Sequence, residues 1–130
     1  AERELLQGGD RRRLLDDMQC VLDQATLRIL QDATANVVIS EQLVDYVQRL
    51  VHFTRTDPKF AIGLSPRGAL ALIGGARAWA LVHGRSHVVP EDVQAVLPSV
   101  VEHRLRGAAD FAGHGGAALS QRLLASVDVV

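Results

Sequence analysis

Between Ser65 and Gly84 runs a helical segment that is apolar on nearly every side. Leu70, Leu72, Ile73, Ala76, Trp79, Ala80 and Leu81 leave little polar surface, and such a helix persists in water only when other elements cover it. It is expected to be the central helix, with Leu70, Leu72 and Trp79 in the core. At 130 residues the chain forms one domain large enough to wrap it. Hydrophobic residues make up 48% of the chain and aromatic ones 4%, so the core should be Leu, Val, Ile and Ala, as in packed helices. Gly74-Gly75 costs about 1 kcal/mol per residue relative to Ala inside a helix. Either a close helix crossing compensates, or the helix is locally weak.

The covering elements can be read from periodicity and caps. Residues 2–7 look like a helical stub, and Gly8-Gly9-Asp10 opens a charged hinge that ends near Asp23. From Gln24, Leu27, Leu30, Ala33 and Thr34 line one side of a helix capped by Asp23. Ser40 caps a second helix reaching about Arg55, with the stripe Leu43, Val47, Leu50, Val51 and Thr54. Thr56-Asp57-Pro58-Lys59 breaks it, and a loop leads to Ser65. Val37-Val38-Ile39 and His87-Val88-Val89 are short β-branched segments, each just before a helix start, and could pair as a minimal bridge. Pro90-Glu91-Asp92 starts a helix whose stripe of Val93, Val96, Leu97, Val100, Val101 and Leu105 stays in phase across Pro98. Pro98 should kink or split it. Residues 107–116 are expected to be a mobile loop and residues 117–126 a last short helix. The organisation is thus hinge over 1–23, helical body over 24–106, and loop plus terminal helix over 107–130. The fold class is all-α, a four-helix bundle with two very short β-branched segments and a short C-terminal helix.

One helix start differs from the others. Ser65 suits the N-cap and Pro66 the first helical position, which places Arg67 at the second. A cation there opposes the helix dipole at a cost of about 0.3–1 kcal/mol. The helices after Ser40 and Val89 instead begin with Glu41 and with Glu91-Asp92. Two readings fit Arg67. Free amide donors and a guanidinium make an anion site suited to phosphate, whereas a surface arginine reaching a nearby carboxylate needs no ligand.

Other chemistry is largely excluded. His52, His83, His87, His103 and His114 form no HExxH pattern, Cys20 is the single cysteine, and no metal site is expected. Ser65 and Ser99 read as caps, and no catalytic dyad is legible. The single lysine, Lys59, lies between Pro58 and Phe60, so the chain holds no P-loop. An apolar strand ending in paired acids, as magnesium binding needs, is also missing. Net charge is −1, and Arg11-Arg12-Arg13 is flanked by Asp10, Asp16 and Asp17, which argues against nucleic-acid binding. No apolar run approaches ~20 residues and no signal sequence opens the chain, so no transmembrane segment and a cytoplasmic parent are expected.

Several motifs in order resemble the C-terminal lid of MoxR-family AAA+ ATPases. They are Gly63-Leu64-Ser65-Pro66-Arg67-Gly68-Ala69-Leu70-Ala71-Leu72, Ala76-Arg77-Ala78, Gly84-Arg85 with Val88-Val89-Pro90-Glu91-Asp92-Val93, and Val100-Val101-Glu102-His103-Arg104-Leu105. Val37-Val38-Ile39-Ser40 with Leu43, Asp45-Tyr46 and Leu50-Val51 looks like the preceding lid helix. The resemblance implies that Arg67 is the sensor-2 arginine, acting on the ATP γ-phosphate, with Ser65 and Pro66 beside it at the nucleotide. Arg85 matches the family pattern too, and pairing with Glu91 or Asp92 is its expected role. Where the family commonly has Thr before Pro-Glu-Asp, this chain has Val89, which removes a capping hydroxyl.

The resemblance further implies that the chain is a fragment, with residues 2–7 as the last helix of an AAA+ core. That core would carry Walker A and Walker B and bind ATP and Mg, leaving the fragment without cofactor or ATPase activity. The parent would be an ATPase working as a chaperone-like remodelling factor. Its partners would be the core of the same chain, neighbouring subunits of a homo-oligomeric ring (a hexamer), and proteins with von Willebrand factor A domains. The competing reading is a stand-alone helical interaction module, histone-fold-like or protein-binding.

Overall fold

The computed structural model of the chain describes residues 18–107 and 116–129. The stub expected over residues 2–7, most of the hinge, the arginine cluster and the loop over 108–115 with His114 lie outside the described residues. The elements follow in the order α1 (Gln24–Ala35), α2 (Glu41–Thr56), β1 (Phe60–Ile62), α3 (Pro66–Val82), α4 (Pro90–Val101), β2 (Arg106–Gly107) and α5 (Gly116–Ser126). The chain divides into two compact units, residues 1–30 and 31–130, and the boundary falls within α1. The all-α class read from the sequence holds. No helix among the described residues is long and apolar enough to cross a membrane.

Asp23 starts α1 as expected, its carboxylate accepting the Thr26 N–H at 2.7 Å. Hydrogen bonds from the Thr26 side chain and backbone hold the Asp23 carboxyl below its usual range. The face of Leu27, Leu30, Ala33 and Thr34 does not become a buried one, for α1 has no buried residue. Three large apolar residues in twelve, with Ile29 pointing away from the other two, give too little area to bury a helix.

In the second unit, Ser40 caps α2 by accepting the Leu43 N–H at 3.2 Å. Leu43, Val47, Leu50, Val51 and Thr54 are buried as their spacing predicts, together with Tyr46. The two β-branched segments do meet. Val38 and His87 form an isolated parallel bridge, with Val38 N–H donating to Ser86 O and Val88 N–H to Val38 O, both at 2.9 Å. Val37 and Val88 are buried beside it.

α3 packs mainly against α4, burying Gly68, Leu72, Ala76 and Ala80 along one side. Two residues correct the expectation: Leu70, on the opposite side, is 69% exposed, and Trp79, near the end of the packed side, is 43% exposed; Val82 beyond them is 82% exposed. Buried residues recurring at intervals of four trace a single narrow face, so α3 is apolar beyond what the described elements cover. The indole of Trp79 meets the His83 ring, with centroids 4.9 Å apart. A methyl group at Gly75 would lie 3.5 Å from Val96, an ordinary contact, and one at Gly74 would meet nothing within 4 Å. The crossing with α4 therefore does not demand the glycine pair.

Pro98 does not split α4, which runs from Pro90 to Val101 and buries Val93, Val96, Leu97 and Val101 on both sides of the proline. The ring removes one donor only a turn from the helix end, and the buried stripe keeps the remainder in register. The helix stops at Val101 rather than near Arg106; a turn closed by Leu105 N–H on Val101 O at 2.8 Å returns Leu105 to the core.

The segment after α2, expected as a loop, contains β1, which pairs antiparallel with β2 through Phe60 opposite Gly107 and Ile62 opposite Arg106. Gly107 is thus in a strand rather than in the expected loop. Leu119, Leu123 and Val127 bring α5 into the core. Arg122 on α5 pairs with Asp57 just after α2 at 2.6 Å and lies over the Phe53 ring. That hydrogen bond, with a second from the Lys59 N–H, holds the Asp57 carboxyl below its usual range.

Three stability measurements check this arrangement. Denaturant titration should show that Leu72→Ala costs about 2–5 kcal/mol while Leu70→Ala stays within about 0.5 kcal/mol of wild type. Gly74→Ala should stabilise by up to about 1 kcal/mol, since the methyl meets open space. Because the Asp57 pKa is lowered on folding, its contribution is present above the ordinary carboxylate range and is lost as pH falls. Asp57→Asn should therefore be less stable than wild type at pH 7, with the gap closing below about pH 4.

Candidate functional site

The site is built at the start of α3, and each residue from Gly63 to Gly68 has a physical task there except one. A Cβ on Gly63 would lie 2.6 Å from the Thr54 carbonyl oxygen and 2.8 Å from Arg55 Cγ, so only glycine lets the turn pass this close to the end of α2. Leu64 is buried and held by its backbone. Its N–H donates to Thr54 Oγ1 at 2.9 Å, and its carbonyl accepts from Arg55 Nε at 3.1 Å and Nη2 at 2.9 Å. Thr54 Oγ1 in turn donates to Val51 O at 2.7 Å, so the buried hydroxyl is satisfied on both sides.

Ser65 is the N-cap, its Oγ accepting the Gly68 N–H at 3.2 Å and its carbonyl the Ala69 N–H at 3.0 Å. Pro66 occupies the first helical position and has no N–H to leave unpaired. Gly68 gives the Leu64 side chain its place, since a Cβ there would sit 2.5 Å from Leu64 Cδ1. Arg67 remains. It is exposed, and no hydrogen bond or ion pair engages its backbone N–H or guanidinium among the described residues.

This geometry narrows the anion site foreseen from the sequence. The cap consumes the Gly68 amide, the first full helical bond consumes that of Ala69, and Pro66 has none. Within the first helical turn one backbone donor is left, that of Arg67 itself, beside its guanidinium. The Ser65 hydroxyl still has its own proton to donate. Such a set can meet one or two oxygens of a phosphate, but it cannot enclose a triphosphate.

Arg85 lies apart from this cluster. It pairs with the Asp92 carboxylate, as one of the two expected partners, and Asp92 Oδ2 also accepts the Val89 N–H at 2.9 Å. Half of a capping box thus persists although Val89 has no hydroxyl. The parts of the site not found from the sequence are Thr54 and Arg55. A threonine inside the buried stripe of α2 was a usable signal, because a buried hydroxyl needs a partner; no sequence pattern points Arg55 to a carbonyl nine residues away.

A protein-family model described as "AAA lid domain" matches residues 52–123, from the last turn of α2 to the second turn of α5. The chain belongs to the AAA lid domain family. This lid is 42% identical over 94 residues to Chaperone MoxR1 of Mycobacterium tuberculosis, covering 65% of the chain and 25% of that protein. It is also 32% identical over 117 residues to the uncharacterized protein YeaC of Bacillus subtilis, covering 88% and 37%. A solved structure from Cytophaga hutchinsonii, described as a candidate ATPase, superposes with a TM-score of 0.65 at 27% identity. That match covers 75% of the chain and 33% of the solved one. With the MoxR-named relatives, these matches make the chain a lid of the MoxR branch of AAA+ ATPases. It spans 25–37% of the length of these relatives.

The lid's helix start is checked most simply at Gly63. Gly63→Ala forces a methyl group against the Thr54 backbone, and a thermal or urea melt should register a loss of about 1–3 kcal/mol. A neutral result would mean that the turn has room which the geometry denies.

Proposed function

We propose that this lid serves a MoxR-type ATPase by presenting Arg67 as the sensor-2 arginine to the γ-phosphate of ATP, and that its movement couples hydrolysis to chaperone-like remodelling. The observation that carries the reading is the isolation of Arg67 in an otherwise fully committed segment. Gly63, Leu64, Ser65, Pro66 and Gly68 each serve the geometry of the turn, whereas Arg67 stands in the first helical turn against the dipole. A residue placed against the helix dipole, with no hydrogen bond or ion pair among the described residues, is suited to a partner supplied from outside the lid.

Ser65 and Pro66 belong to the same site in supporting roles. Pro66 sets the backbone angle of the first turn, and the Ser65 hydroxyl can add one donor to a phosphate oxygen. ATP and Mg would be bound mainly by an AAA+ core in the same protein, since this sequence holds neither a P-loop lysine nor an apolar strand ending in paired acids. That core, in the same subunit or in a neighbour of a ring, also fits the open side of α3. Leu70 and Val82 lie on the same helical side as Arg67, and apolar surface of this kind marks an interface. Proteins with von Willebrand factor A domains and a cytoplasmic setting complete the proposal by family analogy alone. The histone-like alternative gains no support from a chain of net charge −1 with one lysine.

The test is Arg67→Ala in the full-length ATPase and in the lid alone. The lid should be as stable as wild type or slightly more so, because an unfavourable dipole interaction is removed. ATP turnover by the full-length protein should fall by at least about tenfold, below the roughly 10³–10⁵-fold effect of arginine fingers that act in trans. Arg67→Lys should rescue poorly, lacking the planar fork that meets two phosphate oxygens. Normal turnover in Arg67→Ala, or an unfolded lid, would contradict the proposal.

A further inference from the structure

We infer that Thr54 and Arg55, at the end of α2, are positioning residues that fix where Arg67 points; this rests on the reading of Arg67 as the phosphate-contacting arginine. The two are adjacent in sequence and grip opposite polar groups of one residue, Leu64. Thr54 takes its N–H at 2.9 Å and Arg55 donates twice to its carbonyl, at 3.1 and 2.9 Å. Leu64 lies one residue before the N-cap and three before Arg67. Moving the mouth of α3 would require breaking these three hydrogen bonds and lifting the buried Leu64 side chain from beneath Gly68.

The two clamp residues divide the work in a way that separates positioning from plain stability. Thr54 is fully buried, so its removal also disturbs packing. Arg55 is exposed, and among the described residues its guanidinium hydrogen-bonds only the Leu64 carbonyl; what it contributes is chiefly a charge-assisted grip on that one group. Its place in the last turn of α2 suits the helix dipole as well, but that alone would not require the guanidinium to fold back onto Leu64. The grip lets the end of one helix aim the start of the next. A lid that swings as a body would then carry Arg67 with α2 as well as with α3.

The experiment compares Arg55→Ala, Arg55→Lys, Arg67→Ala and the double variant Arg55→Ala/Arg67→Ala in the full-length ATPase, by steady-state ATP turnover and by hydrogen exchange. Arg55→Ala should lower kcat by about 10- to 100-fold, the loss typical of misplacing a reacting group by about 1 Å. KM for ATP should change by less than about threefold, because the core supplies most ground-state contacts. Arg55→Lys should recover part of the loss. In the Arg67→Ala background, Arg55→Ala should cost nothing further, since there is no guanidinium left to aim. Amides of Gly68 and Ala69 should exchange faster in Arg55→Ala while Leu72 to Ala80 keep their protection. Thr54→Val, which retains shape but loses the acceptor for Leu64 N–H, should shift kcat in the same direction. Wild-type kcat in Arg55→Ala, or a full additive loss in the double variant, would overturn the positioning role while leaving Arg67 in place. Normal turnover in Arg67→Ala would instead remove the reading on which this one stands.

Discussion

Both polar groups of the Leu64 backbone are bound by the end of α2, and the remainder of the site follows from that attachment. The turn from Gly63 to Ser65 cannot drift, because Gly63 lies against the Thr54 carbonyl with no room for a methyl group. A fixed Leu64 places Ser65 as the cap, and Ser65 with Pro66 sets the first turn of α3. The backbone of Arg67 is then set at a defined point, and its guanidinium is engaged by no hydrogen bond or ion pair among the described residues. Pre-organisation of this sort would serve the proposed role, since the backbone would not have to rearrange when charge develops on a phosphate.

The same rigidity extends outward through polar contacts that tie the ends of elements together. Arg85 and Asp92 join the segment after α3 to the first turn of α4, and Arg122 with Asp57 joins α5 to the end of α2. Phe53 and Phe60 meet edge to face at 6.0 Å beneath the second pair. The clamp on Leu64 therefore stands on an end of α2 that is itself held by α5. The bridge between Val38 and His87 ties the start of α2 to the approach to α4.

Much of this was legible in the sequence where a local rule governs. Ser40, Ser65 and Asp23 cap as their residue types predict, the α2 stripe is buried, and the two valine-rich segments meet because β-branched residues favour extended pairing. What was missed depends on partners distant in sequence. β1 and β2 are three and two residues long, too short for any alternation to show. Leu70 and Trp79 carry the residue types of a core yet stay exposed, since periodicity tells which side is apolar and not whether a neighbour covers it. Pro98 stays within α4 because the packed stripe outweighs one lost hydrogen bond. Arg67 was legible as an anomaly, and the clamp on Leu64 was not, because a guanidinium gripping a carbonyl leaves no trace in composition or period.

The exposed side of α3 and the arginine at its mouth belong to one account: a lid whose own core is complete, with a surface and a charge left for a nucleotide-bearing core to meet. The measurement that tests this most directly is a structure of the full-length ATPase with a non-hydrolysable ATP analogue. The account predicts the Arg67 guanidinium within about 2.7–2.9 Å of a terminal phosphate oxygen, the spacing of a charge-assisted hydrogen bond. A bound nucleotide with Arg67 turned to solvent, or paired with a carboxylate of the core, would contradict it.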